Sequence, residues 1–546
     1  MLLLGSSEAE QVHQLLPELS RNEAADLLAP ESIGPNDRVW LDLSDTEPQR
    51  WNLIQEELPP LHRRVIECRA RLVVIKPYGG ELRPDFRQFR RIVESTPAAK
   101  VFRHLLRVEG LLSGEEPALP GSLSGAPSMA AIQQFIDYIL DAKDQLAGDG
   151  DLASWITAAE ERMSPREEHV TEALDKLTDA AQRALLLAVA MLHGAHADAI
   201  ERAATTLLTK VQGESGTVLE RPPLRERLTE IGVKPDSMRH VRFSRPGYDF
   251  AVRAFFWKHF PDLHGTIATW VRATIDSKEL SEDERDYLVR AFVDQCLDSR
   301  YQDFWTSLIK DLTAEPVNPS RMTAATAVLR HGLRDHKSSR AFRQQIYRWS
   351  LAGDLSVRLA AVLIEACSEM ASTHPEQAIV RLHHVTRHYP EQTVARETLT
   401  GLASSDPWLL SYFLARVADA RTEEVQRTDA TLFLDIADAS LFTTRWPASR
   451  LIAQRQVVNH LAGGWALTFT WLPPETWAPV AREWLRSAAN DSANRGVLLD
   501  VVVVGAKQRG DLLSALFGMA HRAEFRDVIA DPLLERISAA QGIRLT

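Results

Sequence analysis

Across 546 residues the chain has only three cysteines, Cys68, Cys296 and Cys367. They are far apart, sit in apolar contexts and show no C-x-x-C spacing. That excludes a disulfide framework and a cysteine metal knuckle, and fits buried thiols in a reducing compartment. Long apolar runs are also missing. Val501–Val504 is separated from Leu498 and Leu499 by Asp500 and stops at Gly505, well short of a bilayer span. Positive charge is in deficit, with 63 Lys and Arg against 74 Asp and Glu, a net charge of -11. A protein whose main task is to neutralise phosphates would show the opposite balance, so nucleic acid is disfavoured as a partner. Met1–Leu4 has neither a basic n-region nor a small-residue cleavage site, so the expectation is no signal peptide, no membrane and a cytoplasmic location.

Catalytic signatures are missing as well. A phosphate-cradling loop needs Gly-x-x-x-x-Gly-Lys-Ser/Thr between a strand and a helix, and no segment fits. The nearest, Gly505 to Gly510, continues as Asp511-Leu512 and reads as a turn between helices. Gly121-Ser122-Leu123-Ser124-Gly125 has leucine where a nucleophile elbow needs serine. His384 and His388 share a helix face at i, i+4, but no glutamate follows the first as HExxH requires, so they read as a solvated face. His193 and His196 flank Gly194 at an expected helix end, where histidine can satisfy carbonyls. The cysteines have no neighbour that would activate them. No cofactor is expected and no catalytic residue is identified, so the reading leans against an enzyme while an active site assembled from dispersed residues stays open.

What is present is an ordinary globular composition, 45% apolar and 25% charged, in a chain long enough for three or four domains. Two runs near the N-terminus have strand character: 38–43 after the turn-like Gly34-Pro35-Asn36-Asp37, and 71–76 before Pro77 and Gly79-Gly80. Between them Trp51, Ile54, Leu58, Leu61 and Val65 recur at helical spacing. Strand, helix, strand predicts two adjacent parallel strands with a crossover helix. The Gly-, Pro- and Ser-rich stretch Ser113–Met129 reads as a linker or long loop. Helices are predicted near 181–193, 197–211 and 223–230, followed by a short strand at 240–243, which is the order of a winged helix. Val252, Phe255, Phe256 and Phe260 form a bulky face expected to be buried, continued by Ile267, Trp270 and Val271. From about Leu280 onward helices follow one another without strands, as in a HEAT- or armadillo-like solenoid. Stripes such as Leu288/Phe292/Cys296, Val357/Ala360/Ala361/Ile364 and Ile379/Leu382/Val385 carry this pattern, with Asp354 a candidate N-cap and Pro390 a stop.

The most informative local feature is Val39-Trp40-Leu41-Asp42-Leu43-Ser44-Asp45, an apolar strand ending in acids. Asp42 and Asp45 are the candidate cation-binding residues, because carboxylates at such a strand end are good hard-cation ligands. With 72–77, 99–106 and 241–248, this stretch resembles the STAND class of signalling NTPases, relatives of AAA+ proteins, of an actinobacterial type. The resemblance extends to about Trp270. Together with the linker and the helical pattern read above, it gives a partial P-loop NTPase-like α/β domain over 1–112, a linker over 113–130, a helical and winged-helix-like domain over 131–275 and a helical-repeat array over 276–546. It also implies a switch in which a repeat region senses a ligand. The chain departs from that pattern in lacking the P-loop, so neither tight ATP binding nor ATP hydrolysis is expected.

The expected function is therefore a STAND-like regulatory protein acting through protein–protein contacts, with a partner docking on the helical array. Two alternatives stand beside it: a helical-repeat scaffold with an unrelated α/β domain, and a winged-helix DNA-binding regulator using Arg239, Arg242 and Arg245.

Overall fold

A computed structural model describes residues 12–15, 33, 38–43, 48–76, 81–89, 97–112, 116–124, 127, 129–145, 150–163, 167–213, 221–245, 247–297, 299–315, 318–335, 338–418, 423–446 and 451–542. The protein is mainly α-helical with a small parallel sheet near its N-terminus. It separates into two compact units, one formed by 1–95 with 373–546 and the other by 96–372.

In the first unit, β1 (Val12–Leu15), β2 (Arg38–Asp42) and β3 (Arg71–Ile75) form one sheet in that order, all parallel. The register runs from Arg38↔Arg71 to Asp42↔Ile75, so the two strands expected from the sequence are adjacent and parallel. Strand β1 adds a third strand, on the side of β2 away from β3, to the two expected. The crossover is α1 (Pro48–Glu67). Its Trp51, Ile54, Leu58, Leu61 and Val65 are all buried, on a core shared with Val39, Leu41, Leu43 and Val74. The indole N–H of Trp51 donates to the Glu81 carbonyl at 2.8 Å, and Gln55 accepts from the Arg83 amide at 2.9 Å, tying the segment after β3 to the helix.

The second unit begins with α2 (Ala98–Val108), α3 (Met129–Gln145), α4 (Leu152–Met163) and α5 (Glu167–Lys176). Part of the Gly/Pro/Ser-rich stretch is pinned: Leu123 is buried and the Gly121 amide donates to Glu160 at 2.9 Å. Next come α6 (Ala180–Met191), α7 (Ala197–Gln212), α8 (Leu224–Glu230), and β4 (Val233–Pro235) antiparallel to β5 (Val241–Phe243). Helix α6 is apolar nearly all round, and Leu185 through Met191 are all buried, as a central helix requires. Helices α9 (Tyr248–His259), α10 (His264–Ile275), α11 (Glu282–Gln295), α12 (Gln302–Leu312), α13 (Pro319–Arg334), α14 (Ser339–Leu351) and α15 (Val357–Met370) complete the unit. Of the four aromatic-face residues, Val252 and Phe256 are buried while Phe255 and Phe260 are only partly covered. The core of α9 instead recruits Tyr248, Arg253 and Trp257. Helix α11 opens on a capping box, in which Ser281 and Glu284 each bond the other's backbone amide. The N-cap of α15 is Ser356, whose side chain accepts from Leu359, and not Asp354. Its Val357 is exposed as well, because Leu359, Val362 and Leu363 take the inner face.

The rest of the first unit is helical: α16 (Pro375–His388), α17 (Thr393–Ala403), α18 (Pro407–Ala418), α19 (Glu423–Ile436), α20 (Ser440–Thr443), α21 (Arg455–Trp471), α22 (Pro474–Asn490), α23 (Arg495–Gly505), α24 (Gly510–Arg522) and α25 (Arg526–Ala540). Among the described residues from 276 to the end there is no strand. Alternate helices pack on one another: α11 on α13 and α13 on α15 in one unit, α19 on α21, α21 on α23 and α23 on α25 in the other. Close approach depends on glycine. A Cβ on Gly464 would meet the Phe433 ring at 2.1 Å. Gly505 and Gly510 bracket the turn between α23 and α24, as their spacing implied, with Lys507 and Gln508 at positive φ.

Candidate functional site

Asp42 closes β2, in register with Ile75, and the Leu43 amide donates to the Ile75 carbonyl at 2.9 Å. Asp45 lies outside the described residues. Among the described residues no three His, Cys, Asp or Glu side chains are grouped to hold a metal ion. All three cysteines are buried and none is in a disulfide.

The polar chemistry lies deeper in the helices. In the second unit Arg162 of α4 donates to Asp141 of α3 at 2.6 Å and to Asp294 of α11 at 2.9 Å, with Arg290 bonding the other Asp141 oxygen at 3.0 Å. Its guanidinium lies 4.2 Å from the centre of the Tyr138 ring. Burial pushes the Tyr138 hydroxyl up to about 12. Burial alone would lower the Arg162 pKa, but Asp294 and Asp141 outweigh it and hold the cation charged. One turn apart on α9, Asp249 and Arg253 pair at 2.8 Å. Arg253 also reaches the Ala190 carbonyl at 2.6 Å, and the Tyr287 hydroxyl donates to Asp249 at 2.6 Å. Burial raises the Asp249 carboxyl, yet Arg253 and His193 leave it far below the usual carboxylate range. The space lined by Tyr138, Arg162, Asp249 and Arg253 is about 20 Å³, room for one water and no substrate. Each cation has its carboxylate, which makes this a closed network of the core.

His193 and His196 do not finish α6. Helix α6 ends at Met191, His193 accepts from the Phe243 amide at 3.4 Å, and His196 caps the start of α7 by accepting from Asp198.

In the first unit the buried histidine is His383, next to the His384 singled out by its spacing. His383 and Asp429 are both fully buried and bond at 2.8 Å. Arg387, one turn on, grips the same carboxylate through Nε at 3.0 Å and Nη2 at 2.5 Å. Burial raises the Asp429 carboxyl, and the bonds from His383 and Arg387 more than reverse that. Burial lowers His383 to about 4 and His384 to about 2. His388 is exposed while His384 is half-buried, so the expected solvated pair does not form; the helix rotates His384 inward. The pairing of α16 with α19 spans 46 residues, so no local motif announces it. The only sequence signal is Asp429, a charge placed between the apolar positions of α19.

Beside this network is a cleft of about 700 Å³. The end of α16 and the residues just after it contribute Thr386 and Pro390, α17 contributes Arg396, α19 contributes Arg427, Thr428, Thr431 and Leu432, and α21 contributes Trp471. Arg396 is held by the Asp435 carboxylate through both Nε and Nη2. No protein-family model, curated protein or solved structure matches the chain.

Proposed function

We propose that the chain is a STAND-like regulatory protein that acts through protein–protein contacts and turns over no substrate. The observation that carries this reading is the disposition of its buried ionisable groups. In helix cores Arg162 is paired with Asp141 and Asp294, Asp249 with Arg253, and Asp429 with His383 and Arg387, rather than aimed into an open cavity. A catalytic acid or base has to reach a reacting atom, and these are turned to partners within the core.

The winged-helix reading of 180–245 has support beyond element order. His196, between α6 and α7, bridges His240 in antiparallel fashion, and Gly194 and Ala195 exchange backbone bonds with Val241 at 2.8 and 3.0 Å. A single bridge between the first two helices, joined to the hairpin after the third, supports the winged-helix reading. Its basic residues favour an internal role over DNA. Arg239 pairs with Asp198, Arg227 with Glu201, and Arg245 lies over Tyr248. Helix α8 sets Glu226 and Glu230 against Arg225, a poor face for phosphates. Packing of alternate helices supports a helical-repeat array with an extended surface for a partner.

Affinity-tagged protein recovered from its native cells and run on size exclusion is expected to carry a stoichiometric protein partner. Calorimetry with ATP and Mg²⁺ is expected to show no tight binding. ATP turnover above background, or promoter DNA retained in a salt-dependent manner, would replace this reading with an NTPase or a DNA-binding regulator.

A further inference from the structure

The cleft bounded by α16, α17, α19 and α21 has a composition that selects a ligand. Its volume, about 700 Å³, falls within the roughly 300–1,000 Å³ of sites that enclose small organic molecules. Leu432, Pro390 and the half-buried Trp471 give it apolar walls. Thr386 and Thr431 add little donor capacity, since their hydroxyls already donate to the Leu382 and Arg427 carbonyls at 2.9 and 3.1 Å.

Charge is what discriminates among ligands. Three arginines lie in or beside the cleft, and two are neutralised within the protein. Arg387 is bound at both ends to Asp429, and Arg396 is bound to Asp435. Arg427 is exposed, and among the described residues no carboxylate pairs with it. One uncompensated guanidinium above an apolar cavity matches one negative charge on a flat apolar body. A phosphate dianion would leave a charge unmatched, and a neutral ligand would leave the guanidinium without a counter-charge.

We propose that this cleft binds a small aromatic monoanion, a carboxylate in chemical class, with its ring against Trp471 and Leu432 and its carboxylate on Arg427. This goes beyond the partner-binding reading and stands independently of it, since a cleft of this kind needs no protein partner to be filled.

The test is calorimetry on the full chain with three probes that share one ring system: 2-naphthoate, neutral 2-naphthylmethanol and 2-naphthyl phosphate. 2-Naphthoate is expected to bind one per chain with a Kd on the order of 0.1–1 mM, reasonable for a ligand of its size. The alcohol is expected to bind roughly five- to tenfold more weakly, and the phosphate no tighter than the carboxylate. Arg427→Gln changes an exposed side chain, so the fold should survive, which an unchanged melting curve would verify. This variant should bring 2-naphthoate to the level of the alcohol and leave the alcohol unaffected. Arg486→Gln, which alters an exposed arginine paired with Glu483 on α22, should change nothing. No binding of 2-naphthoate at millimolar concentration, equal affinity in wild type and Arg427→Gln, or tighter binding of the phosphate would each overturn the proposal. None of these results bears on whether a protein partner is recovered, so the two readings fail separately.

Discussion

The two units bury charge in different ways, and the difference predicts how each responds to pH. In the unit of residues 96–372 the central groups are Arg162, Arg253, Asp249 and Tyr287. Their partners drive the arginines up and Asp249 down, and burial drives the Tyr287 hydroxyl up, all away from neutrality. His193 is the one member of that set with an ordinary pKa near neutral, and burial lowers it. The helices of residues 373–542 instead place His383, His384 and Glu376 in the core, with burial lowering the histidines to about 4 and about 2 and raising Glu376 to about 7. A network of arginine, aspartate and tyrosine keeps one charge state through the physiological range. Among these buried groups of 373–542 the two histidines stay neutral through that range, and Glu376 is the one that titrates within it.

The comparison is broken most forcefully by removing an anion from each network. Asp429→Ala leaves the Arg387 charge beside a fully buried His383, and Asp249→Ala leaves Arg253 buried beside Tyr287. Each is expected to cost about 3–5 kcal/mol, because the surviving charge is desolvated without its partner. Urea titration would measure both. A loss below about 1 kcal/mol in either would mean that water reaches that network.

The pH response sharpens the contrast. His383 has a folded pKa of about 4, below the roughly 6.5 of an unfolded histidine, so the unfolded chain binds the extra proton. Its contribution is complete above about pH 6.5 and fades as pH falls towards 4, by about 3 kcal/mol at most. Glu376 has the opposite sign. Its folded pKa of about 7 exceeds the unfolded value of roughly 4.3, so stability is lost as pH rises through that window, and the ionised buried carboxylate costs most above pH 7. Glu376→Gln is therefore expected to raise the melting temperature at pH 8, by an amount corresponding to about 2–3 kcal/mol, and to do little at pH 4.5. An equal change at both pH values would show that Glu376 is not held in the dry environment described here.

Smaller effects test packing that the two units share. Gly464→Ala in α21 would drive a methyl into Phe433, and Gly332→Ala in α13 would do the same to Phe342, since each Cβ would sit 2.1 Å from a ring carbon. Each is expected to destabilise its unit by about 1–3 kcal/mol, read as a lower urea midpoint. Ser281→Ala removes one half of the α11 capping box and is expected to cost about 1 kcal/mol.

The regular elements were legible in the sequence because their signals are local. The strands at 38–43 and 71–76, the helix between them and the helices beyond residue 280 follow from periodicity and turn residues within about ten positions of each other. Where periodicity was nearly right, neighbours decided the outcome. Ser356 caps α15 from a position adjacent to its first turn, and Asp354 is too far back to do so. Phe255 and Phe260 share a helix with Val252 and Phe256, but the inner face of α9 turns towards Tyr248 and Arg253. The polar networks were illegible. Arg162 meets Asp294 across 132 positions and His383 meets Asp429 across 46, distances over which no spacing rule operates. His384 and His388 stand out in the sequence because they fit a known spacing, whereas nothing local distinguishes His383.

Regulation through contact without turnover requires a bound partner, which light scattering of the full chain purified intact from its own cells would reveal. A particle heavier than the 61.2 kDa of one chain, containing a second protein in fixed ratio, is expected. A lone 61.2 kDa particle would contradict it.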